Sequence, residues 1–203
     1  RGISMAEGDR AISLTILHHV DASPAERAAY LKQSTAERKL SGGDEDDIAL
    51  TNEEVGEETT LSPERYEELK ASEQFVLTVT QQGYGKRSSS YDFRLTGRGG
   101  KGIRATDVSK TAEIGPLVAA FPVGNDDQIM LVSDGGQVIR VPVGGIRIAS
   151  RATKGVTIFN TADGERVVSV ERISEANGDD EETENGQADN ENGGLAADEE
   201  SSE

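Results

Sequence analysis

A tandem repeat in the second half of the chain limits the possible folds more than any other feature. Residues 77–87 align with residues 130–140 at an offset of 53, and the same offset places residues 98–103 over residues 151–156. A shorter apolar element recurs at residues 10–14, 116–120 and 166–170. Repeats of this length are typical of modules that bury their apolar faces against one another, so we expect several similar units stacked side by side.

Each unit is predicted to contain four short strands. The expected strands are residues 12–17, 75–80, 86–93 and 102–105 in one unit, and residues 117–123, 129–133, 138–143 and 155–159 in the next. Glycine at Gly83 and Gly136 favours tight hairpin turns, because it readily adopts a positive φ. The pattern predicts an all-β, propeller-like array of four-stranded blades, of which this chain holds an incomplete set.

Residues 1–17 are expected to form part of a blade, and residues 75–173 the last two blades. Two regions depart from the repeat: residues 18–74 are an insertion, and residues 174–203 form an acidic tail. Within that insertion Ser23-Pro24 and Ser62-Pro63 are typical helix starts, with a serine N-cap followed by proline at the first helical position. We expect the acidic residues 42–47 and 53–58 between the two helices, and the tail 174–203, to be disordered.

The net charge of −17 is unevenly distributed along the chain. Residues 75–173 hold 13 Lys or Arg against 9 Asp or Glu, whereas residues 174–203 hold 12 acidic residues and no basic ones. The absence of cysteine suits the reducing cytoplasm, and no apolar run approaches the roughly 20 residues of a membrane helix. Because Gly2-Ile3 falls inside the repeat, we expect the chain to be the C-terminal piece of a longer protein.

Two glycine-containing basic loops carry the main functional signal. The first basic loop, residues 98–102, and the second basic loop, residues 151–155, each place an arginine three residues before a lysine. Small residues let the backbone approach a phosphate, and loop amides can help to hold the anion. The residues that we predict to contact DNA lie in these loops and beside them: Lys86, Arg87, Arg94, Arg98, Lys101, Arg104, Arg140, Arg147, Arg151 and Lys154.

Other interpretations of these residues remain open. Lysine and arginine on strand edges are also ordinary solvated charges that prevent aggregation. His18-His19 lacks neighbouring ligands with suitable spacing, so we predict no metal site, and no group of residues has the pattern of a catalytic centre. A protein-interaction propeller with an acidic tail and no role at DNA is the rival hypothesis.

Three segments resemble a known family when taken in order. They are residues 80–87, 127–134 and 150–155, and they are similar to the C-terminal domain of the bacterial DNA gyrase A protein. The resemblance implies the last blades of a β-pinwheel that wraps double-stranded DNA around a basic rim. Residues 96–102 match the family's hallmark Gln-Arg-Arg-Gly-Gly-Lys-Gly box at five of seven positions, lacking the glutamine and the first arginine. We therefore expect the hallmark box itself to lie upstream of this chain.

The same resemblance implies the wider setting. The chain would belong to an ATP-dependent type II topoisomerase, with the rest of gyrase A and with gyrase B as partners in a heterotetramer. Catalysis, ATP and Mg²⁺ would then reside on other domains, with no cofactor in this fragment and no membrane association. The paralogous protein of topoisomerase IV is the alternative identity.

The charge of the acidic tail gives a second hypothesis: the tail competes with DNA for the basic rim. The alternative is that it acts only as a solubility tail.

Overall fold

The computed structural model describes residues 2–40 and 60–173. The chain forms α1 (Pro24–Leu40), α2 (Pro63–Ala71), β1 (Phe75–Thr80), β2 (Tyr84–Ser89), the short helix α3 (Thr111–Ile114), β3 (Leu117–Val123), β4 (Gln128–Ser133), β5 (Val138–Pro142), β6 (Val156–Thr157) and β7 (Val167–Ile173). The expected disorder at residues 42–47 and 53–58 and in the tail 174–203 lies outside the described residues.

Two antiparallel sheets correspond to the two predicted blades. The first blade has the strand order β3-β1-β2-β6, and the second has the order β5-β4-β7. The pairing Thr78↔Lys86 in the first blade becomes Leu131↔Ile139 in the second, a shift of 53 on both strands. A β-bulge recurs at the same shift, since it lies after Val79 in one blade and after Val132 in the other. The repeat found in the sequence is therefore a repeat of hairpin geometry.

The predicted grouping of the strands is wrong in one respect. Residues 117–123 were expected to open the second blade, but β3 pairs with β1 and completes the first blade. In the same way β7 completes the second blade by pairing with β4. The apolar element at residues 116–120 and 166–170 is thus a third strand that pairs with the first strand of the preceding hairpin. The first strand of each hairpin therefore has a partner on both sides.

Four predicted strands differ in the structure. Residues 12–17 form no strand, and Leu14 and Ile16 are 92% and 85% exposed, because no sheet edge among the described residues pairs with this segment. Residues 102–105 also form no strand, and 155–159 shrinks to β6, which pairs with β2 of the first blade. The strand expected at 86–93 runs over Tyr84–Ser89 and ends in a 3₁₀ turn, Ser90–Asp92.

A hydrophobic core lies between the two blades. Leu77 and Val79 of β1 and Ile129 and Leu131 of β4 are completely buried in it. Burial on this scale stabilises the pair of blades, since each fully buried aliphatic side chain contributes roughly 1.5–3 kcal/mol. The first blade is therefore held on the second by a continuous apolar layer.

The insertion forms a helical hairpin that packs on the first blade. Both predicted helices are confirmed, and α1 continues to Leu40, well past the apolar residues that suggested it. The hairpin contacts the blade through aromatic rings: Tyr30 lies 5.2 Å from Tyr91 in an edge-on arrangement, and the Tyr91 hydroxyl donates to the Leu69 carbonyl. The ends of the insertion meet where Gln74 exchanges two hydrogen bonds with the backbone of His18.

Candidate nucleic-acid interface

Two of the residues predicted to contact DNA, Lys86 and Arg87, are buried within the chain. The Lys86 side chain is 1% exposed, and its ammonium group donates to the main-chain carbonyls of Ser150, Arg151 and Thr153 at 2.8, 2.6 and 2.6 Å. An ammonium group has three N–H donors, so these bonds use all of them. Burial lowers the pKa of Lys86 to about 7, although the Asp92 carboxylate acts in the opposite direction. Lys86 therefore supports the second basic loop from inside.

Arg87 is buried between the two blades. Its guanidinium donates to the Ile146 carbonyl at 2.7 Å, to the Asn125 side chain at 2.9 Å and to the Gly144 carbonyl at 3.1 Å. All three acceptors flank the β4–β5 hairpin of the second blade. The planar fork of arginine suits such a set of divergent acceptors. Arg87 joins the blades and is only 6% exposed, so its guanidinium is engaged inside the chain and is not presented to a phosphate.

The second basic loop is fixed to the first blade on both sides. The flanking residue Ala149 donates its amide to the Arg87 carbonyl, and β6 pairs with β2 immediately after the loop. The Asp92 carboxylate accepts the Arg151 amide at 2.6 Å. The sequence predicted that loop amides could help to hold a phosphate. At Arg151 the amide instead holds a carboxylate of the protein itself.

The two cations of the second basic loop are also engaged. The Arg151 side chain is 15% exposed and donates to the carbonyls of Asp92 and Arg104. The Lys154 ammonium lies 2.7 Å from the Glu113 carboxylate and 5.3 Å from the centre of the Tyr84 ring. This pairing raises the pKa of Lys154 and lowers the pKa of Glu113. Both members of the pair are about two-fifths exposed, so solvent screens their attraction.

The first basic loop has a different environment. Its backbone is held by the N-terminal segment: Gly99 donates its amide to the Gly2 carbonyl, and Ser4 donates its amide to the Gly100 carbonyl. The side chains of the predicted cations in and around this loop are exposed, and no hydrogen bond or ion pair within residues 2–40 and 60–173 engages them. These cations are Arg94, Arg98, Lys101 and Arg104.

The second blade contributes two further predicted residues. Arg140 occupies the position equivalent to Arg87 but is exposed, because no described part of the chain covers that face of the second blade. Arg147 is partly buried where the chain pairs with β2, and its carbonyl accepts the Arg87 amide. The predicted set therefore divides into buried, paired and exposed cations, and it does not form one continuous belt of equivalent positions.

Sequence reasoning missed the acidic partners. Asp92 and Glu113 both control cations of the second basic loop, yet they lie 59 and 41 residues from Arg151 and Lys154 in the chain. No spacing rule links residues so far apart. Lys110, exposed beside α3, was also absent from the prediction, since it falls in a stretch without an aligned partner in the repeat.

Other site chemistries find no support in the described chain. Within residues 2–40 and 60–173 no group of three His, Asp or Glu side chains could hold a metal ion. His18 takes part in the backbone bonds to Gln74. In the same ranges no helix combines the length and the apolar character needed to cross a bilayer.

Comparison with known proteins finds a family match to each of the two blades. The model of the DNA gyrase C-terminal domain, a beta-propeller, matches residues 74–123 and 127–174. Each match begins at or next to a hairpin and ends with the strand that closes it. The DNA gyrase A protein of Granulibacter bethesdensis is 46% identical over 192 residues, which cover 89% of this chain and 20% of that protein. The corresponding protein of Rickettsia bellii is 42% identical over 183 residues, 90% of this chain and 19% of that protein.

Solved structures give a weaker likeness. The DNA gyrase A C-terminal domain matches with a TM-score of 0.46 and 27% identity, over 49% of this chain and 33% of that one. The C-terminal domain of DNA topoisomerase IV matches with a TM-score of 0.46 and 22% identity, over 49% and 31%. The chain spans about a fifth of the length of the curated relatives, and those sequence matches are the basis of the assignment. The chain belongs to the DNA gyrase C-terminal domain family.

Proposed function

We propose that the two blades bind double-stranded DNA along their basic rim and form part of the DNA-wrapping surface of a gyrase A protein. The observation that supports this proposal is the segment from Arg94 to Arg104. It carries four exposed cations within eleven residues, and none has a partner among the residues that the structure describes. Cations without internal partners can pair with phosphates without first breaking an existing contact.

The expected binding is independent of base sequence. The cations lie on loops and turns and not on a helix or ribbon that could enter the major groove, so the contacts suit phosphates better than base edges. Affinity would then come mainly from the release of counterions from the DNA. Bending a duplex along the rim costs several kcal/mol over a few helical turns, so the proposal requires many phosphate contacts.

The wider proposal concerns the intact protein. The relatives are gyrase A proteins, and by analogy this chain would act with the rest of gyrase A and with gyrase B in a cytoplasmic type II topoisomerase. ATP and Mg²⁺ would serve that enzyme on other domains, and this part of the chain would present DNA without taking part in catalysis. Negative supercoiling would depend on the wrapped segment that the rim holds.

Titration of linear duplexes against the full-length protein at several salt concentrations tests the proposal. We expect the logarithm of the affinity to fall linearly with the logarithm of the salt concentration, and long duplexes to bind better than short ones. Arg98→Ala should lower the salt slope by about 0.9, the value for one phosphate contact, for every DNA sequence tested. Affinity that depends on neither salt nor duplex length would refute the proposal and favour a protein-interaction module.

A further inference from the structure

A buried cation lies under the second basic loop. Although Lys86 was expected at the DNA surface, its side chain points away from solvent and ends among three main-chain carbonyls. Buried charges are rare unless they are paired or fully hydrogen-bonded, and here the hydrogen bonds come from one short stretch of backbone. The contacts with residues 150, 151 and 153 account for all three donors of the group.

We propose that Lys86 is a positioning residue for DNA binding, because its ammonium group is the centre around which the second basic loop folds. This inference rests on the DNA-binding function proposed above. The carbonyls that converge on Lys86 belong to the same backbone that carries Arg151 and Lys154. The geometry of that backbone therefore fixes where these two cations stand on the rim.

The chain on both sides of the loop is attached to the strand that carries Lys86. Ala149 donates to the Arg87 carbonyl before the loop, the Ser88 hydroxyl donates to the Ala149 carbonyl, and Val156 pairs with Gly85 after it. The loop thus leaves β2, passes around the ammonium group and returns to β2. From outside, the Asp92 carboxylate accepts the Arg151 amide and the Ser150 hydroxyl. A cation inside and an anion outside define one loop conformation.

This arrangement is specific to one blade. The residue equivalent to Lys86 in the second blade is Ile139, which cannot donate a hydrogen bond from its side chain. The first basic loop uses Ser4 instead, whose amide and hydroxyl donate to the carbonyls of Gly100 and Gly99. Because the repeat does not require a lysine at this position, its presence here calls for a role in its own loop.

The main-chain carbonyls of Ser150, Arg151 and Thr153 form a carbonyl cradle around the Lys86 ammonium group. If Lys86 acts through its charge and not only by filling space, this cradle should accept another cation in its place. Rings of main-chain carbonyls that replace a hydration shell are ligands for K⁺. Ammonium ion offers the same N–H donors as the lysine side chain. Truncation to Lys86→Ala leaves the three carbonyls and removes the cation, so the vacated cradle should take K⁺ or NH₄⁺ from solution. Lys86→Met fills the space without a charge and should take neither.

The test compares full-length wild type, Lys86→Ala and Lys86→Met in Na⁺, K⁺ and NH₄⁺ at equal ionic strength. In Na⁺ we expect both variants to bind DNA roughly three- to tenfold more weakly, the range for the loss of up to one phosphate contact. K⁺ or NH₄⁺ should restore Lys86→Ala to within about twofold of wild type at the same salt dependence, and should leave Lys86→Met unchanged. Lys154→Ala, which removes a cation but keeps the cradle, should show no preference among the three ions.

The melting temperature without DNA separates this inference from the proposed function. A higher melting temperature of Lys86→Ala in K⁺ or NH₄⁺ than in Na⁺ supports the cradle even where the rim does not bind DNA. Wild-type affinity of Lys86→Ala in Na⁺ would overturn the positioning role. Equal melting of that variant in all three cations would overturn the cradle, including the case in which the variant is unfolded in all of them.

Discussion

The two basic loops share a sequence pattern but not an environment. Both follow Arg-x-x-Lys-Gly, and the closing glycines have nearly the same backbone angle, with φ of +79° at Gly102 and +81° at Gly155. In the first basic loop the arginine and the lysine project into solvent without a partner among the described residues. In the second basic loop Asp92 and Glu113 hold the equivalent side chains.

The difference shows that a recurring motif predicts backbone conformation better than it predicts contacts. The positive φ belongs to the turn itself, so it recurs wherever the turn recurs. Whether a cation is available to a phosphate depends on carboxylates from other parts of the chain. The cations of the first basic loop are thus the more accessible, and those of the second are held by more contacts.

The largest expected effect distinguishes the loops by stability. A Cβ on Gly155 would lie 2.5 Å from the Gly85 carbonyl oxygen, whereas a Cβ on Gly102 would meet only the flexible end of Ile3 at 3.4 Å. Both positions carry the strain of an alanine at positive φ, roughly 1–3 kcal/mol. Gly155→Ala adds a backbone clash, so we expect its unfolding free energy to fall by roughly 3 kcal/mol or more in chemical denaturation.

Gly102→Ala serves as the matched control for that measurement. It shares the backbone angle but not the clash, and should therefore destabilise the protein by about 1–3 kcal/mol, less than Gly155→Ala does. Equal losses for the two variants would show that the second basic loop is not packed against β2 as the structure describes. The comparison would then lose its physical basis.

The next effect concerns DNA affinity. We expect the double substitution of Arg98 and Lys101 by alanine to lower the salt slope by about 1.8, because two phosphate contacts are lost. Lys154→Ala should lower it by less than about 0.9, since the pair with Glu113 already neutralises part of that charge. Filter binding or fluorescence anisotropy across a salt series measures both. A greater loss from Lys154→Ala than from Arg98→Ala would reverse the ranking of the loops.

Sequence analysis predicted the hairpins because their signals are local. Alternating apolar residues, a glycine at each turn and a constant offset are enough to define β1 with β2 and β4 with β5. The partner of each hairpin edge was not predictable in this way. β3 lies between the two hairpins in the sequence, and its pairing with β1 depends on how the two blades stack. The unpaired residues 12–17 show the same limit, since an apolar pattern does not supply a neighbouring strand.

From the sequence the site could be predicted only as a set of basic residues, without knowing which of them are buried. Lys86 and Arg87 have the same charge as Arg98 and Lys101, and no property of the residues themselves identifies the buried pair. A weak signal did exist, because both lie within a predicted strand, where adjacent side chains face opposite sides, and a strand covered on both faces buries both. Their acceptors are carbonyls 64 and 59 residues away, so only the folded chain reveals why burial is tolerated.

A smaller effect is expected from the acidic tail. If residues 174–203 compete with DNA for the rim, their removal should strengthen DNA binding several-fold at low salt, and the gain should shrink as salt screens the charges. The comparison of the loops adds a sharper expectation. Most of the gain should disappear when Arg98 and Lys101 are already alanine, because these exposed cations have no carboxylate partner among the described residues. Unchanged affinity and supercoiling after truncation would leave only a role in solubility.

The smallest effect tests the pairing of Glu113 with Lys154. Glu113→Gln keeps the shape of the side chain but removes the charge that holds Lys154, so we expect DNA affinity to rise about twofold, as for an exposed pair. The decisive measurement is a double-mutant cycle, because neighbouring charges are not additive. Lys154→Ala should cost more affinity in the Glu113→Gln background than in the wild type.

The pH dependence of that cycle follows from the same pair. Since Lys154 keeps the pKa of Glu113 below its ordinary value, the carboxylate stays charged and the pair stays intact at neutral pH. The pair is lost as the pH falls through the lowered pKa of Glu113 or rises through the raised pKa of Lys154, so the coupling should be constant between about pH 6 and 8. Additive effects of the two substitutions would show that the ion pair does not restrain Lys154, and Lys154 would then be as available as the cations of the first basic loop.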